Sequence, residues 1–299
     1  MLKGSEYPSI RALRTFVAVA NHLSFSKAAD TLCVTQSAVS KQIASLEQLV
    51  GLPLIQRGLN GIELTEEGQR YLPEVTEALG LIQHATANLI QSGTEQELLV
   101  VDVTPSFASL WLVPHINDFH QRYPNVRVKI HTGDSVLRNL HGESDLHVRC
   151  LPLSTHYEYS QLLCKEILLL VGDASLPTLK TKQAINHYPL IPQTTRPQLW
   201  EQFKLTHSLD NPITYHAVGF EHFYLACEAV RMTKGFALLP DFMARYSIQR
   251  GDIQHILNLS LESGYGYYVM IPNYRLSANK VVMFHEWLKS KLSHTSASA

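Results

Sequence analysis

Thr35-Gln36-Ser37-Ala38-Val39-Ser40-Lys41-Gln42-Ile43-Ala44-Ser45-Leu46 decides the reading of everything around it. Thr35 is a helix-capping residue type. From there Val39, Ile43, Leu46 and Val50 recur at three- and four-residue spacing up to Gly51, the residue type that most readily ends a helix in the left-handed conformation. The spacing predicts a helix with those four residues on its buried side. Gln36, Ser37, Ser40 and Lys41 then share the outer surface of its first turns. Gln pairs bidentately with adenine while Ser and Lys reach base edges or phosphates, so this surface has the composition of a helix that enters the major groove of DNA.

Working outward, Leu13, Phe16, Val17, Ala20 and Leu23 form one apolar stripe at helical spacing after Ser9. Ser24-Phe25-Ser26 supplies capping hydroxyls for a short helix, Lys27 to Leu32, whose Ala28-Ala29 pair lets another helix cross closely. Downstream, Leu52 to Arg57 and Gly61 to Thr65 read as two strands about a turn, a wing that carries Arg57 towards a DNA backbone. The order predicts an all-α winged helix-turn-helix over residues 1–65. Periodicity alone leaves a second reading open, a three-helix bundle whose polar face is merely solvated.

The residues themselves carry more than the periodicity. Leu13-Arg14-Thr15-Phe16, Ser24-Phe25-Ser26-Lys27-Ala28-Ala29, Thr35 to Ile43, Leu46-Glu47, Gly51-Leu52-Pro53-Leu54 and Leu64-Thr65-Glu66-Glu67-Gly68, in that order, closely resemble the DNA-binding domain of LysR-type transcription regulators. The resemblance implies that Gln36, Ser37, Ser40 and Lys41 meet DNA from the recognition helix and that Arg57 does so from the wing. Two positions depart from the family's habit: Ile55 stands where Phe is usual, and Gly58 where a second basic residue is common. The second departure implies weaker anchoring to phosphate.

Thr65 then caps a new helix with Glu66 and Glu67 in its first turn, where the helix dipole favours acids. Leu72, Val75, Leu79, Ile82, Thr86 and Leu89 alternate at three and four, an a/d seam flanked by Gln83, His84 and Asn88. So narrow a stripe predicts a dimerisation helix over residues 66–93. Packing on its own domain is the other reading, and that would call for a broader apolar face. Pro73 is expected to kink or loosen its first turns, and Ser92-Gly93-Thr94 to end it. Paired copies would set two recognition helices roughly 34 Å apart, one turn of duplex.

From residue 94 to 299 strands alternate with helices. Leu98 to Val103, Val126 to Ile130, Asp145 to Arg149, Ile167 to Val171, Gly235 to Pro240 and Tyr265 to Ile271 read as strands; Ser106 to Tyr123, Leu199 to Leu205, Phe223 to Met232 and Lys280 to Leu292 read as helices. The pattern predicts an α/β domain of two lobes with a largely parallel sheet, and a disordered tail from His294 to Ala299. Ligands of such sheets bind beyond the carboxyl ends of strands. Thr104-Pro105-Ser106-Phe107 opens a helix there, a natural seat for an anion; Thr132-Gly133-Asp134 and Arg149 end neighbouring strands on the same rim. Thr104 and Ser106 as simple helix caps, and Arg149 as a partner of Asp145 or Glu143, are the alternatives.

Pro105 to Pro114, Tyr123-Pro124, Asp145 to Arg149 and Gly235 to Pro240 resemble, more loosely, the effector domain of the same family, in the branch of the glycine-cleavage and β-lactamase regulators. This implies a periplasmic-binding-protein-like fold with a small-molecule effector between its lobes, touched by Thr104, Ser106, Thr132, Arg149 and Phe220. Arg149 and the helix start motivate a carboxylate-bearing effector. Double-stranded promoter DNA, RNA polymerase and a second copy of the chain, in a homodimer or homotetramer, are the other implied partners.

Composition sets the outer limits. The chain has 299 residues, 45% hydrophobic and 17% charged, with a net charge of −1, so bulk attraction does not carry it to DNA. Residues 1–70 hold seven cations against six carboxylates. The purest apolar run, Ile167 to Val171, is far short of the roughly 20 residues a bilayer requires, and the first residues lack a secretory pattern, so a cytoplasmic location is expected. The 15 histidines have no metal-ligand spacing, and no catalytic or cofactor motif occurs, so neither an enzyme nor a cofactor is expected. Cys33, Cys150, Cys164 and Cys227 are scattered. A thiol sensor using Cys150 and Cys164 is a rival reading, as is an architectural DNA-binding protein that senses nothing, but inert core thiols fit the missing basic neighbours better.

Overall fold

The computed structural model describes residues 7–58, 61–91, 96–133, 144–157, 160–209 and 214–293, which divide between two compact units that meet in sequence near residue 94. Glu143, Asp134, Ser92-Gly93-Thr94 and the 294–299 tail lie outside the described residues.

The first unit opens with α1 (Ile10–His22), α2 (Phe25–Leu32) and α3 (Gln36–Val50). Each begins on a hydroxyl cap. Ser9, Ser24 and Thr35 accept the amides of Ala12, Lys27 and Ala38 respectively. Phe16, Val19, Ala28, Val39, Ile43 and Leu46 close the core between them. Two residues expected on buried stripes are exposed, Leu23 by 50% and Val50 by 37%, and Leu13 and Val17 are only partly buried. Leu23 has left α1 as its left-handed cap, and Val50 is the last residue of α3. The hairpin of β1 (Ile55–Gly58) and β2 (Gly61–Leu64) follows, then α4 (Glu66–Gln91), which runs through Pro73.

The seam of α4 divides in two. Leu72, Val75 and Leu79 pack on the core of their own unit, whereas Ile82 is nearly half exposed.

In the second unit β3 (Glu97–Val103), β4 (Val126–Thr132), β5 (Leu146–Pro152), β6 (Ser160–Asp173), β7 (Ala237–Pro240) and β8 (Ile253–Met270) form one six-stranded sheet in the order β4-β3-β5-β8-β6-β7. The expectation of a largely parallel sheet is corrected: only β3/β4 and β3/β5 are parallel, and the three pairings made by β6 and β8 are antiparallel. The last strand, β8, inserts between β5 and β6 and runs opposite to both, which makes that half of the sheet antiparallel. These two long strands serve both lobes. Their segments near Leu163 and Tyr267 belong to a core with Val101, Phe107, Phe119 and Trp287; those near Leu170 and Ile256 belong to a core with Trp200, Phe203 and Phe236.

Helices cover the sheet: α5 (Pro105–Phe107) and α6 (Val113–Arg122), α7 (Leu199–His207), α8 (Phe223–Thr233), α9 (Asp241–Gln249) and α10 (Asn279–Ser293). The stretch expected as one helix from Ser106 is interrupted by a π-helical segment, Ala108–Leu112. Pro114 has no amide for the Leu110 carbonyl, and the helix widens at that point. Among the described residues no helix is long and apolar enough to cross a membrane, and no cluster of His, Cys, Asp and Glu is placed to hold a metal ion.

Candidate functional site

Gln36, Ser37, Ser40 and Lys41 are all exposed on the front of α3. Ser26 donates its hydroxyl to the Gln36 Oε1 at 3.2 Å, and the hydroxyls of Ser37 and Thr35 lie 3.0 Å apart. Gln36 and Ser40 line an open groove of about 430 Å³ whose opposite wall is the hairpin, with Gln56 and Arg57 on it. Ser37 and Lys41 lie outside that groove, further round the helix. The wing therefore joins two of the four helix residues at one concave surface.

What holds the wing there is a residue to which spacing assigned no role. One oxygen of Glu47, near the carboxyl end of α3, accepts the amides of Leu54 and Ile55 at 2.8 and 3.1 Å, tying the entry of β1 to α3. An acidic residue so close to a helix carboxyl end opposes the dipole, and this was the available signal. Thr65 completes the frame by donating to the Pro53 carbonyl at 2.7 Å and accepting the Gly68 amide at 3.0 Å. Gly68 admits no side chain, since a Cβ there would stand 2.1 Å from the Leu54 carbonyl oxygen. On the wing itself the Glu63 carboxylate occupies the space beside Gly58, where a Cβ would come within 2.3 Å of it.

The second unit has a cavity of about 310 Å³ at the junction of its two cores. Thr104, Ser106 and Arg149 line it from one side, Arg196, Phe223 and Tyr265 among others from the other. Thr132 is exposed at the end of β4 and Phe220 is half-buried, backbone-bonded to Thr194 at 3.0 Å; neither lines this cavity. Thr104 precedes α5 without making a side-chain cap, so its hydroxyl is not consumed there.

Both arginines arrive with their charge already balanced. Arg149 donates to the Asp102 and Val148 carbonyls at 2.9 and 3.1 Å and pairs with the Asp102 carboxylate at 3.1 Å. Asp145, one of the two alternative partners read from the sequence, is taken by Arg275 at 2.7 Å and Lys280 at 3.1 Å. Arg196 meets Glu166 at 2.6 and 3.1 Å, and its guanidinium lies 4.7 Å from the Tyr265 ring centre and 5.2 Å from that of Phe223. Burial works against the charge of Arg196, but the Glu166 carboxylate outweighs it and holds the group firmly protonated. Cys150 and Tyr267 also donate to Glu166, at 3.4 and 3.3 Å. Sequence reasoning missed Glu166 and Arg196. The signal for Glu166 was a carboxylate directly abutting the apolar run that starts at Ile167; Arg196 lies outside any periodic segment.

Burial, reinforced by Glu166, pushes the Cys150 thiol well up; burial likewise pushes Cys164 up to about 12 and Cys227 up to about 11. Thiols held protonated in this way are poor nucleophiles.

Comparison with known proteins agrees with this division of labour. Residues 10–69 match the family of bacterial regulatory helix-turn-helix proteins of the lysR type, and residues 92–293 match the LysR substrate binding domain. The glycine cleavage system transcriptional activator of Escherichia coli is 32% identical over 292 residues, 95% of this chain and 94% of that protein. Its homolog in Haemophilus influenzae is 30% identical over 94% of both chains, and the transcriptional activator AmpR of Providencia stuartii 30% identical over 95% of this chain and 96% of its own. Among solved structures, ArgP from Mycobacterium tuberculosis superposes with a TM-score of 0.61 at 18% identity, covering 98% of both chains. The AmpR effector binding domain from Citrobacter freundii does so at 0.56 and 22%, covering 67% of this chain and all of that one. The chain belongs to the LysR family of transcription regulators, a DNA-binding helix-turn-helix domain followed by an effector-binding domain of two lobes.

Proposed function

We propose that residues 1–65 read double-stranded promoter DNA, that residues 66–93 pair with a second copy in a homodimer or homotetramer, and that residues 94–299 hold a small-molecule effector that alters how the assembly meets promoter and RNA polymerase. The work is done in the cytoplasm, and no catalytic step is assigned to the chain. One observation carries the reading: Gln36, Ser40 and Arg57 share an open groove beside the front of α3. Gln36, Ser37, Ser40 and Lys41 take the base edges and nearby phosphates, and Arg57 the backbone. The relatives named as transcriptional activators favour activation over repression.

A cavity near 310 Å³ suits a metabolite rather than a large ligand. With Arg149 and Arg196 each balanced by a carboxylate, the effector's own carboxylate is received by the hydroxyls of Thr104 and Ser106 at the helix start, and the arginines orient it. Thr132 and Phe220 stand outside the cavity lining and enter only by way of the family resemblance.

The test is binding of the full-length protein to duplexes drawn from the DNA adjoining its own gene, against random competitor. Gln36→Ala and Ser40→Ala each cost ~1–3 kcal/mol on the preferred duplex and little on random DNA, whereas Arg57→Ala weakens all duplexes alike. Equal losses on every sequence from both kinds of variant overturn the assignment of readout to α3.

A further inference from the structure

We infer that Arg11 and Arg14 of α1 grip the DNA backbone on the flank of α3 that faces away from the wing, so that the recognition helix is seated between two sets of phosphate contacts. The inference rests on reading α3 as the major-groove helix.

Residues two apart on a helix point about 200° away from each other. Gln36 and Ser40 face the groove shared with Arg57; Ala38 and Gln42, two positions on, face a second open groove of about 450 Å³. The far wall of that groove is α1, with Arg11 and Arg14 on it. Ser37 and Lys41 lie between the two grooves and point straight out. A helix about 10–12 Å across nearly fills a major groove about 12 Å wide, so both strands' phosphates come beside its flanks. One flank is supplied by the wing. The other has α1.

The charges agree with this placement. On the wing Arg57 stands without a second base, and Glu63 fills the space beside Gly58. On the opposite flank two guanidiniums sit three residues apart on one helix face. Both arginines are exposed, and among the described residues no carboxylate pairs with either. This contrasts with Arg122, Arg149, Arg196, Arg231, Arg250 and Arg275 of the second unit, each of which holds a carboxylate. The backbone beneath them is stiff: Ala12 donates to the Ser9 cap at 3.1 Å, and the buried Thr15 returns its hydroxyl to the Arg11 carbonyl at 2.8 Å. Ile10 and Val34, 51% and 45% exposed, border the groove and present apolar surface to deoxyribose.

The experiment measures affinity of full-length protein for its preferred duplex and for random duplex across salt concentrations, with phosphate-ethylation interference on the preferred duplex. Each phosphate contact contributes about −0.9 to the slope of log K against log salt. The double variant Arg11→Gln/Arg14→Gln is expected to make the slope shallower by about 1.8 per bound domain. It is also expected to weaken both duplexes by the same factor, and to erase interference at phosphates distinct from those lost in Arg57→Gln. An unchanged thermal melt shows that the variant is folded. A wild-type slope and interference pattern in the folded double variant overturns the inference. So does normal DNA binding with lost transcriptional activation, which would give the groove to an acidic protein partner. If the wild-type protein itself prefers no duplex over random DNA, the reading of α3 fails and takes this inference with it; wild-type preference with an unaltered slope in the variant sinks the inference alone.

Discussion

Arg196 closes on Glu166 through two parallel contacts, Nη1 to Oε2 at 2.6 Å and Nη2 to Oε1 at 3.1 Å, at a point where the carboxylate side chain is sealed from solvent. Glu166 lies on a strand that serves both lobes, and Arg196 on the loop before α7, so the pair ties a lobe to the segment that joins the two. Breaking a buried pair from one side strands a charge, whereas replacing both partners does not. Arg196→Ala is expected to lower unfolding free energy by about 3–5 kcal/mol, and Glu166→Leu/Arg196→Met to recover most of it. Urea denaturation of the three proteins checks this; equal losses in the single and double variants would show that the pair is not the source.

Glu47 links α3 to the wing mechanically. Glu47→Ala leaves the Leu54 and Ile55 amides without their acceptor, at an expected cost of about 1–3 kcal/mol, and loosens the strand that presents Arg57. Glu47→Gln keeps an Oε1 acceptor and is expected to recover part of the loss. In a double-mutant cycle on DNA affinity, Glu47→Ala and Arg57→Ala are expected to be less than additive, because the second has little left to remove. Strict additivity would separate Glu47 from the wing's function.

Thiol chemistry separates the cysteines. Cys33 is exposed, while Cys150, Cys164 and Cys227 are held protonated by burial. A disulfide-exchange reagent at neutral pH is expected to titrate one fast thiol per chain, the other three only after unfolding, and peroxide to leave DNA affinity unchanged. Rapid labelling at Cys150 or Cys164 would revive the thiol-sensor reading.

Asp118 anchors α10 to α6, bonding Lys291 at 2.9 Å, Trp287 at 2.8 Å and Arg122 at 3.1 Å. The bond from Lys291, with those from Trp287 and Arg122 adding, holds its carboxyl below the ordinary 3.8. A carboxyl lowered on folding stabilises fully above its unfolded value, and that contribution is lost as pH falls through the folded one. Asp118→Asn is therefore expected to unfold more readily near neutrality and, in acid-denaturation curves, to begin approaching wild type as pH falls past 3.8, converging only below the lowered folded value. Curves that stay parallel throughout would remove Asp118 from the acid response.

How far the chain was legible follows from the range of the interactions. The caps at Ser24 and Thr35, the buried Val39, Ile43 and Leu46, and the exposed Gln36, Ser37, Ser40 and Lys41 were all readable, because helix caps and faces are set by neighbours within four residues. β8 was read only from Tyr265 onward, since left-handed Leu257 and Asn258 break the alternation of its earlier half, and α9 was missed altogether. The partners of the cavity arginines were decided only by the tertiary structure. Asp102 lies 47 residues before Arg149, and Glu166 30 residues before Arg196. Local periodicity records which side of a helix or strand is wet; which charges are neutralised depends on which strands meet, and that is settled by the closing of the whole sheet.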